Sequence, residues 1–123
     1  MQMTVYVVDD CLDTSDSLAA LLMAMGHRAL ACYSAAEALK LIEIEKPDCV
    51  MLDIAMAGMD GLDLSKELRA RFGDDIILVA VTGTPPDDPL VQETFVLVDH
   101  YFEKPVTLEQ VQKLFPDPAK PVL

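Results

Sequence analysis

Five polar side chains close short apolar runs of this chain, and their types are those of phosphoryl chemistry. Asp9 and Asp10 end the β-branched run Thr4-Val5-Tyr6-Val7-Val8, and Asp53 ends Cys49-Val50-Met51-Leu52. Thr82 ends Ile76-Ile77-Leu78-Val79-Ala80-Val81, and Lys104 follows the stretch around Val98-Asp99-His100-Tyr101-Phe102. Brought together, three carboxylates within a few ångströms cannot all stay ionised without a cation. A hard divalent ion relieves that repulsion, and an all-oxygen, hydrated donor set favours Mg²⁺ over zinc. Such an ion bridges a carboxylate and a phosphoryl oxygen during transfer. The Lys104 ammonium would hold a second phosphoryl oxygen, and the Thr82 hydroxyl would donate to a third. One carboxylate is left as nucleophile, and Asp53, on the strand that reads as central, is the candidate. Taken singly, each residue has a plainer reading: an aspartate at a strand end caps a turn, Thr82-Gly83 is a turn, Lys104 is a solvated charge. Five suitable types at the right strand ends are harder to explain as turns.

The elements that must position these residues follow from hydrophobic periodicity. The apolar runs are continuous rather than alternating, as expected of strands covered on both faces in a parallel sheet. Ala29-Leu30-Ala31-Cys32-Tyr33 reads as a weaker strand of the same kind. Between the strands, Leu18, Leu21, Leu22 and Met25 recur at helical spacing with Gly26 as the stop. Ser34 with Glu37, and Thr107 with Gln110, form capping boxes ahead of two further helices. Leu64, Leu68 and Phe72 mark another helix, closed by Gly73, and Asp88-Pro89 opens a short one. Strand and helix therefore alternate five times, which implies an open parallel sheet with helices on both faces and right-handed crossovers. Ligands of such sheets bind beyond the carboxyl ends of the strands, where the five polar residues fall.

Size and charge exclude other classes. A chain of 123 residues fits one domain. We expect that domain over 1–115, with the proline-rich 116–123 as a linker or free end. The longest apolar run, Leu18 to Met25, is far short of the roughly 20 residues of a membrane helix, and no signal-peptide pattern opens the chain. Nine Lys+Arg against 21 Asp+Glu give a net charge of −12, a field that repels nucleic-acid backbones and anionic membranes. The three cysteines (Cys11, Cys32, Cys49) lack disulfide or zinc spacing and suit a reducing cytoplasm.

The motifs Val7-Val8-Asp9-Asp10, Met51-Leu52-Asp53, Gly58-Met59-Asp60-Gly61, Val81-Thr82-Gly83 and Tyr101-Phe102-Glu103-Lys104-Pro105 resemble those of the receiver domain of two-component response regulators. The likeness runs from Thr4 to about Phe115. It implies a flavodoxin-like three-layer (βα)5 sandwich, an α/β fold with a parallel five-stranded sheet in the order 2-1-3-4-5. It also implies that Asp53 accepts a phosphoryl group from a sensor histidine kinase or a histidine phosphotransfer protein, without turnover of a diffusible substrate. Asp10 would be a direct Mg²⁺ ligand, Asp9 one acting mainly through water, and the Ala55 carbonyl a further ligand. Thr82 and Lys104 would bind phosphoryl oxygens. Tyr101 would be the aromatic switch that turns inward as Thr82 moves, signalling to a downstream protein target.

The chain departs from the family pattern in places. Ala57 replaces the proline usual before Gly-Met-Asp-Gly, and Leu97 stands where a glycine usually precedes the fifth strand. Thr84-Pro85-Pro86-Asp87-Asp88-Pro89 foretells a short or distorted fourth helix. Cys11, beside the acidic pair, reads as inert packing with a disfavoured thiolate. Two alternatives compete with the receiver reading. A Mg²⁺-dependent phosphohydrolase would need a second acid two residues after its nucleophile, where Asp53-Ile54-Ala55 has none. A degenerate receiver that only dimerises would not need all five polar residues.

Overall fold

The computed structural model describes residues 2–115, so the expected tail 116–123 lies outside the described residues. Along the chain run β1 (Thr4–Val8), α1 (Leu12–Ala24), β2 (Arg28–Cys32), α2 (Ala35–Ile44) and β3 (Cys49–Leu52). Then follow α3 (Gly61–Phe72), a 3-10 turn (Gly73–Asp75), β4 (Ile77–Thr82), α4 (Pro89–Phe95), β5 (His100–Glu103) and α5 (Leu108–Leu114). The five strands pair in parallel in the order β2-β1-β3-β4-β5. The alternating pattern implied the parallel sheet, and the family resemblance implied this flavodoxin-like order.

The continuous apolar runs are explained by two cores, one on each side of the sheet. Successive strand side chains point to opposite faces. Val5 and Val7 of β1 therefore join Leu18 and Leu22 of α1, Met25 at its C-cap and Val111 of α5. Tyr6 and Val8 join Ala38 and Ile42 of α2 and Leu64 and Leu68 of α3 on the other side. A smaller cluster of Ile54, Ala80 and Val91 seats α4. Fully buried leucines such as Leu22 and Leu64 each stabilise the fold by about 2–5 kcal/mol relative to alanine.

Helix ends largely follow the capping chemistry of the sequence. The hydroxyl of Thr107 and the side chain of Gln110 form the full reciprocal box at α5. At α2 only half the expected box exists: Ser34 accepts the Glu37 N–H, while the Glu37 carboxylate accepts the Tyr33 N–H at 3.3 Å. Asp88 caps α4 with Pro89 behind it, and that helix spans only seven residues, as its proline-rich entry foretold. β5 begins at His100 rather than at Val98, and just ahead of it Asp99 bonds to both β4 and α3. Its carboxylate accepts both the Leu78 N–H at 2.8 Å and an N–H of Arg69 at 2.9 Å.

Candidate functional site

The site grows from the ladder that joins β1 to β3. The Asp53 N–H donates to the Val8 carbonyl at 2.9 Å, and the Asp9 N–H donates to the Cys32 carbonyl at 3.0 Å. Asp9 and Asp53 therefore leave neighbouring strands side by side, at the carboxyl rim of the sheet. The buried Ser15 hydroxyl of α1 donates to the Val7 carbonyl at 3.1 Å, tying that helix to the same rim. From β5, the Lys104 N–H donates to the Thr82 carbonyl at 2.9 Å, which binds the last two polar residues to one another through the backbone.

Side chains then converge. Lys104 Nζ donates to Asp9 Oδ2 at 2.7 Å and to Asp53 Oδ2 at 3.1 Å. Asp9 is 3% and Asp53 7% exposed, whereas Asp10 lies at the surface. Carboxylate oxygens of Asp9, Asp10 and Asp53 lie within 4.8 Å of one another, close enough to share a single ion. Thr82 is fully buried and its hydroxyl accepts the Thr84 N–H at 3.0 Å. The Lys104–Pro105 bond is cis. Ala55 sits in the exposed loop after β3, two residues beyond Asp53.

Electrostatics in this hollow are contested. Burial pushes the Asp53 carboxyl above its ordinary range, the charge of Asp9 pushes the same way, and Lys104 pulls against both. For Lys104, burial works to lower the ammonium, but hydrogen bonds and charge from Asp9 and Asp53 outweigh it and the net direction is upward. One ammonium thus serves two buried carboxylates, with Asp10 a third negative group nearby. The donor set is hard oxygen throughout, which is the chemistry of a Mg²⁺-type ion and not of a soft one.

Tyr101 stands apart from this cluster. It pairs in register with Ala80 and packs edge-on against Phe95 of α4, with ring centroids 4.7 Å apart. Its hydroxyl is buried and makes no hydrogen bond among the described residues. Cys11 corrects an expectation. It is exposed, not packed, and sits at the N-cap of α1 with its own N–H on Asp9 Oδ1 at 2.9 Å. Hydrogen bonding to Thr14 lowers its thiol pKa from the ordinary value and outweighs the opposing charge of Asp9.

Three contributors were not legible as such. Gly61, the first residue of α3, lies so close to the strand end that an added Cβ would meet the Asp53 carbonyl oxygen at 2.3 Å. Only glycine lets α3 start there, with the Gly61 N–H donating to the Ile54 carbonyl at 2.8 Å. The Ala57 N–H reaches Asp10 Oδ2 at 3.0 Å. Arg69, in the last turn of α3, bonds the carbonyls of Leu97, Gly73 and Ile76 as well as Asp99. A basic residue in a helix's last turn was the available signal for Arg69, though the distant partners could not be read from it.

Comparison with known proteins bears directly on this geometry. The family described as "Response regulator receiver domain" matches residues 5–115. The chain belongs to this family. The receiver domain is 31% identical over 111 residues to the response regulator MprA of Mycobacterium ulcerans, covering 90% of this chain and 47% of that protein. It is 32% identical, again over 111 residues, to MprA of Mycolicibacterium vanbaalenii, covering 90% of this chain and 48% of the relative. The chain thus spans about half the length of these curated relatives. Among solved structures it resembles a CheY-like response regulator receiver domain from Methylobacillus flagellatus. That likeness has a TM-score of 0.82 and 27% identity, and covers 93% of this chain and 96% of that one. It also resembles the receiver domain of NtrX from Brucella abortus, at a TM-score of 0.80 and 28% identity, covering 89% and 92% of the two chains. This is therefore a response regulator receiver domain, a phosphoacceptor module of two-component signalling.

Proposed function

We propose that Asp53 is the phosphoacceptor, taking its phosphoryl group from the histidine of a sensor kinase or phosphotransfer protein. An Asp53 oxygen attacks phosphorus, the bond to the donor's histidine nitrogen breaks, and an acyl phosphate remains on the domain. The observation that carries this reading is the Lys104 ammonium shared between Asp9 and Asp53 at the carboxyl rim of the sheet. A nucleophile needs that cation beside it once its own charge is joined by that of a phosphoryl group.

The residues present fit a Mg²⁺ ion, because three carboxylates offer oxygens within 4.8 Å of one another and the ion pairs of Lys104 among the described residues reach Asp9 and Asp53 but not Asp10. We assign Asp9, Asp10, Asp53 and the Ala55 carbonyl as the groups that would hold it. When bound, the ion neutralises charge on the phosphoryl oxygens during transfer. Lys104 would move from Asp9 and Asp53 to a phosphoryl oxygen, and the Thr82 hydroxyl, which accepts the Thr84 N–H, would donate its proton to another. Thr82 shifting toward the phosphoryl group would open space beside Tyr101, whose inward ring then reports the modified state through α4 and β5 to a protein target.

With a net charge of −12 the domain repels polyanions, so we assign its contacts to proteins and none to nucleic acid or anionic membranes. No described helix is long and apolar enough to cross a membrane, and we place the domain in the cytoplasm. We take 1–115 as one receiver unit. The direct test is modification by acetyl phosphate with Mg²⁺, read by intact mass. Wild type should gain one phosphoryl group and Asp53→Asn none; equal modification of both removes Asp53 as acceptor.

A further inference from the structure

The geometry points to Ala57 as a positioning residue that holds Asp10 ready for a divalent ion through its backbone N–H, an inference that rests on the ion site proposed above. Asp10 is the one exposed member of the acidic cluster. Its Oδ2 accepts the Ala57 N–H at 3.0 Å, across 47 residues of chain. A carboxylate oxygen keeps a second lone pair after accepting one hydrogen bond, and the Ala57 bond takes Oδ2 and not Oδ1, so it restrains the rotamer without using up the ligand.

The donor is a property of this residue. A proline, which the family pattern usually places here, has no N–H and could not make the contact. The bond also ties the loop between β3 and α3 to the acidic pair after β1. That loop is anchored at its far end by the Gly61 N–H on the Ile54 carbonyl at 2.8 Å, so the tether has a fixed base. Asp9 has no need of such help, since Lys104 and the Cys11 N–H already hold both its oxygens.

The experiment is a Mg²⁺ titration by calorimetry of wild type, Ala57→Pro and Ala57→Gly, each first checked for fold by circular dichroism. Loss of the donor frees Asp10 to sample rotamers that binding must then restrict, so Ala57→Pro should bind about three- to tenfold more weakly. Ala57→Gly keeps the N–H and should stay within about twofold of wild type, the difference being loop freedom alone. Equal or tighter binding by Ala57→Pro overturns the proposal. Amide hydrogen exchange in metal-free protein provides a check that does not depend on the proline variant folding. Exchange at Ala57 should accelerate in Asp10→Ala, and an unchanged rate shows that the tether does not exist in solution. A wild type that takes up no Mg²⁺ would sink the ion site itself, and with it this inference. A wild type that binds while Ala57→Pro binds equally well sinks the tether alone.

Discussion

Replacing Gly61 by alanine sets two effects against each other, and the structure decides which wins. In the first turn of a helix alanine is favoured over glycine by up to about 1 kcal/mol. Here the new Cβ would lie 2.3 Å from the Asp53 carbonyl oxygen and 2.7 Å from the Ile54 Cα. Ordinary carbon–oxygen approach stops at about 3.3 Å, so α3 and the end of β3 must separate by roughly 1 Å. Both obstructing atoms are backbone, and no flexible side chain can yield. Overpacking of this kind costs about 1–3 kcal/mol. The Gly61 N–H to Ile54 bond stretches with it, at a further cost of about 1 kcal/mol. With the full propensity gain set against these costs, the net expectation is a loss of about 1–3 kcal/mol, or a melting temperature lower by about 4–12 °C for a domain of this size.

The same displacement moves the carbonyl of the proposed nucleophile. A misplacement near 1 Å can cost up to about a hundredfold in rate, so acetyl phosphate should modify Gly61→Ala at least about tenfold more slowly. Gly58→Ala is the control. Its φ of +75° strains alanine, yet no heavy atom lies within 4 Å of the added Cβ. It should lose stability without a matching loss of modification rate. Thermal melts and intact-mass time courses on the three proteins read both quantities. If Gly61→Ala melts within about 2 °C of wild type and is modified as fast, the close approach of α3 is not what positions Asp53.

Other outcomes follow from the same coordinates. Lys104→Met leaves two buried carboxylates facing each other, and breaking a buried pair costs up to about 3–5 kcal/mol, less here because Lys104 is partly exposed. The variant should melt lower in EDTA and recover more with Mg²⁺ than wild type does; unchanged melting would refute the charge argument. Mg²⁺ should raise the melting temperature of wild type in proportion to the logarithm of its concentration once above its dissociation constant, as differential scanning fluorimetry would show. Asp99 offers a pH test. Burial works to raise its carboxyl, but the Leu78 N–H and Arg69 outweigh burial and hold it below the usual carboxylate range. Its contribution is therefore fully present above a pH of about 4, the unfolded value, and fades as pH falls through the lower folded value. Asp99→Asn should cost at most about 1 kcal/mol in urea unfolding at pH 7, since the carboxylate is 43% exposed, and progressively less as pH falls below about 4. A stability gap independent of pH would contradict this.

Some of the molecule is written locally. Strands that are apolar at every position belong in a sheet covered on both sides, and Val5 to Val8 do split between two cores as that pattern demands. Thr107 with Gln110, and Asp88 with Pro89, satisfy helix-end groups within a few residues of themselves, so their role could be read without knowing the fold. The polar residues at the strand ends were legible for the same reason: in a parallel sheet, strand ends share one rim. What tertiary structure alone decided was contact at a distance. That Lys104 meets Asp9 across 95 residues of chain depends on β5 and β1 arriving at one edge from opposite sides of β3 and β4. Cys11 was misread because its neighbours in sequence are acidic, while its pKa is governed chiefly by hydrogen bonding to Thr14 at the start of α1. Gly61, Ala57 and Arg69 each act through a backbone atom, their own or another segment's, and a backbone atom carries no mark in a sequence. Periodicity and capping are short-range physics and can be spelled in residue types, whereas a close approach or a shared charge exists only once separate segments have packed.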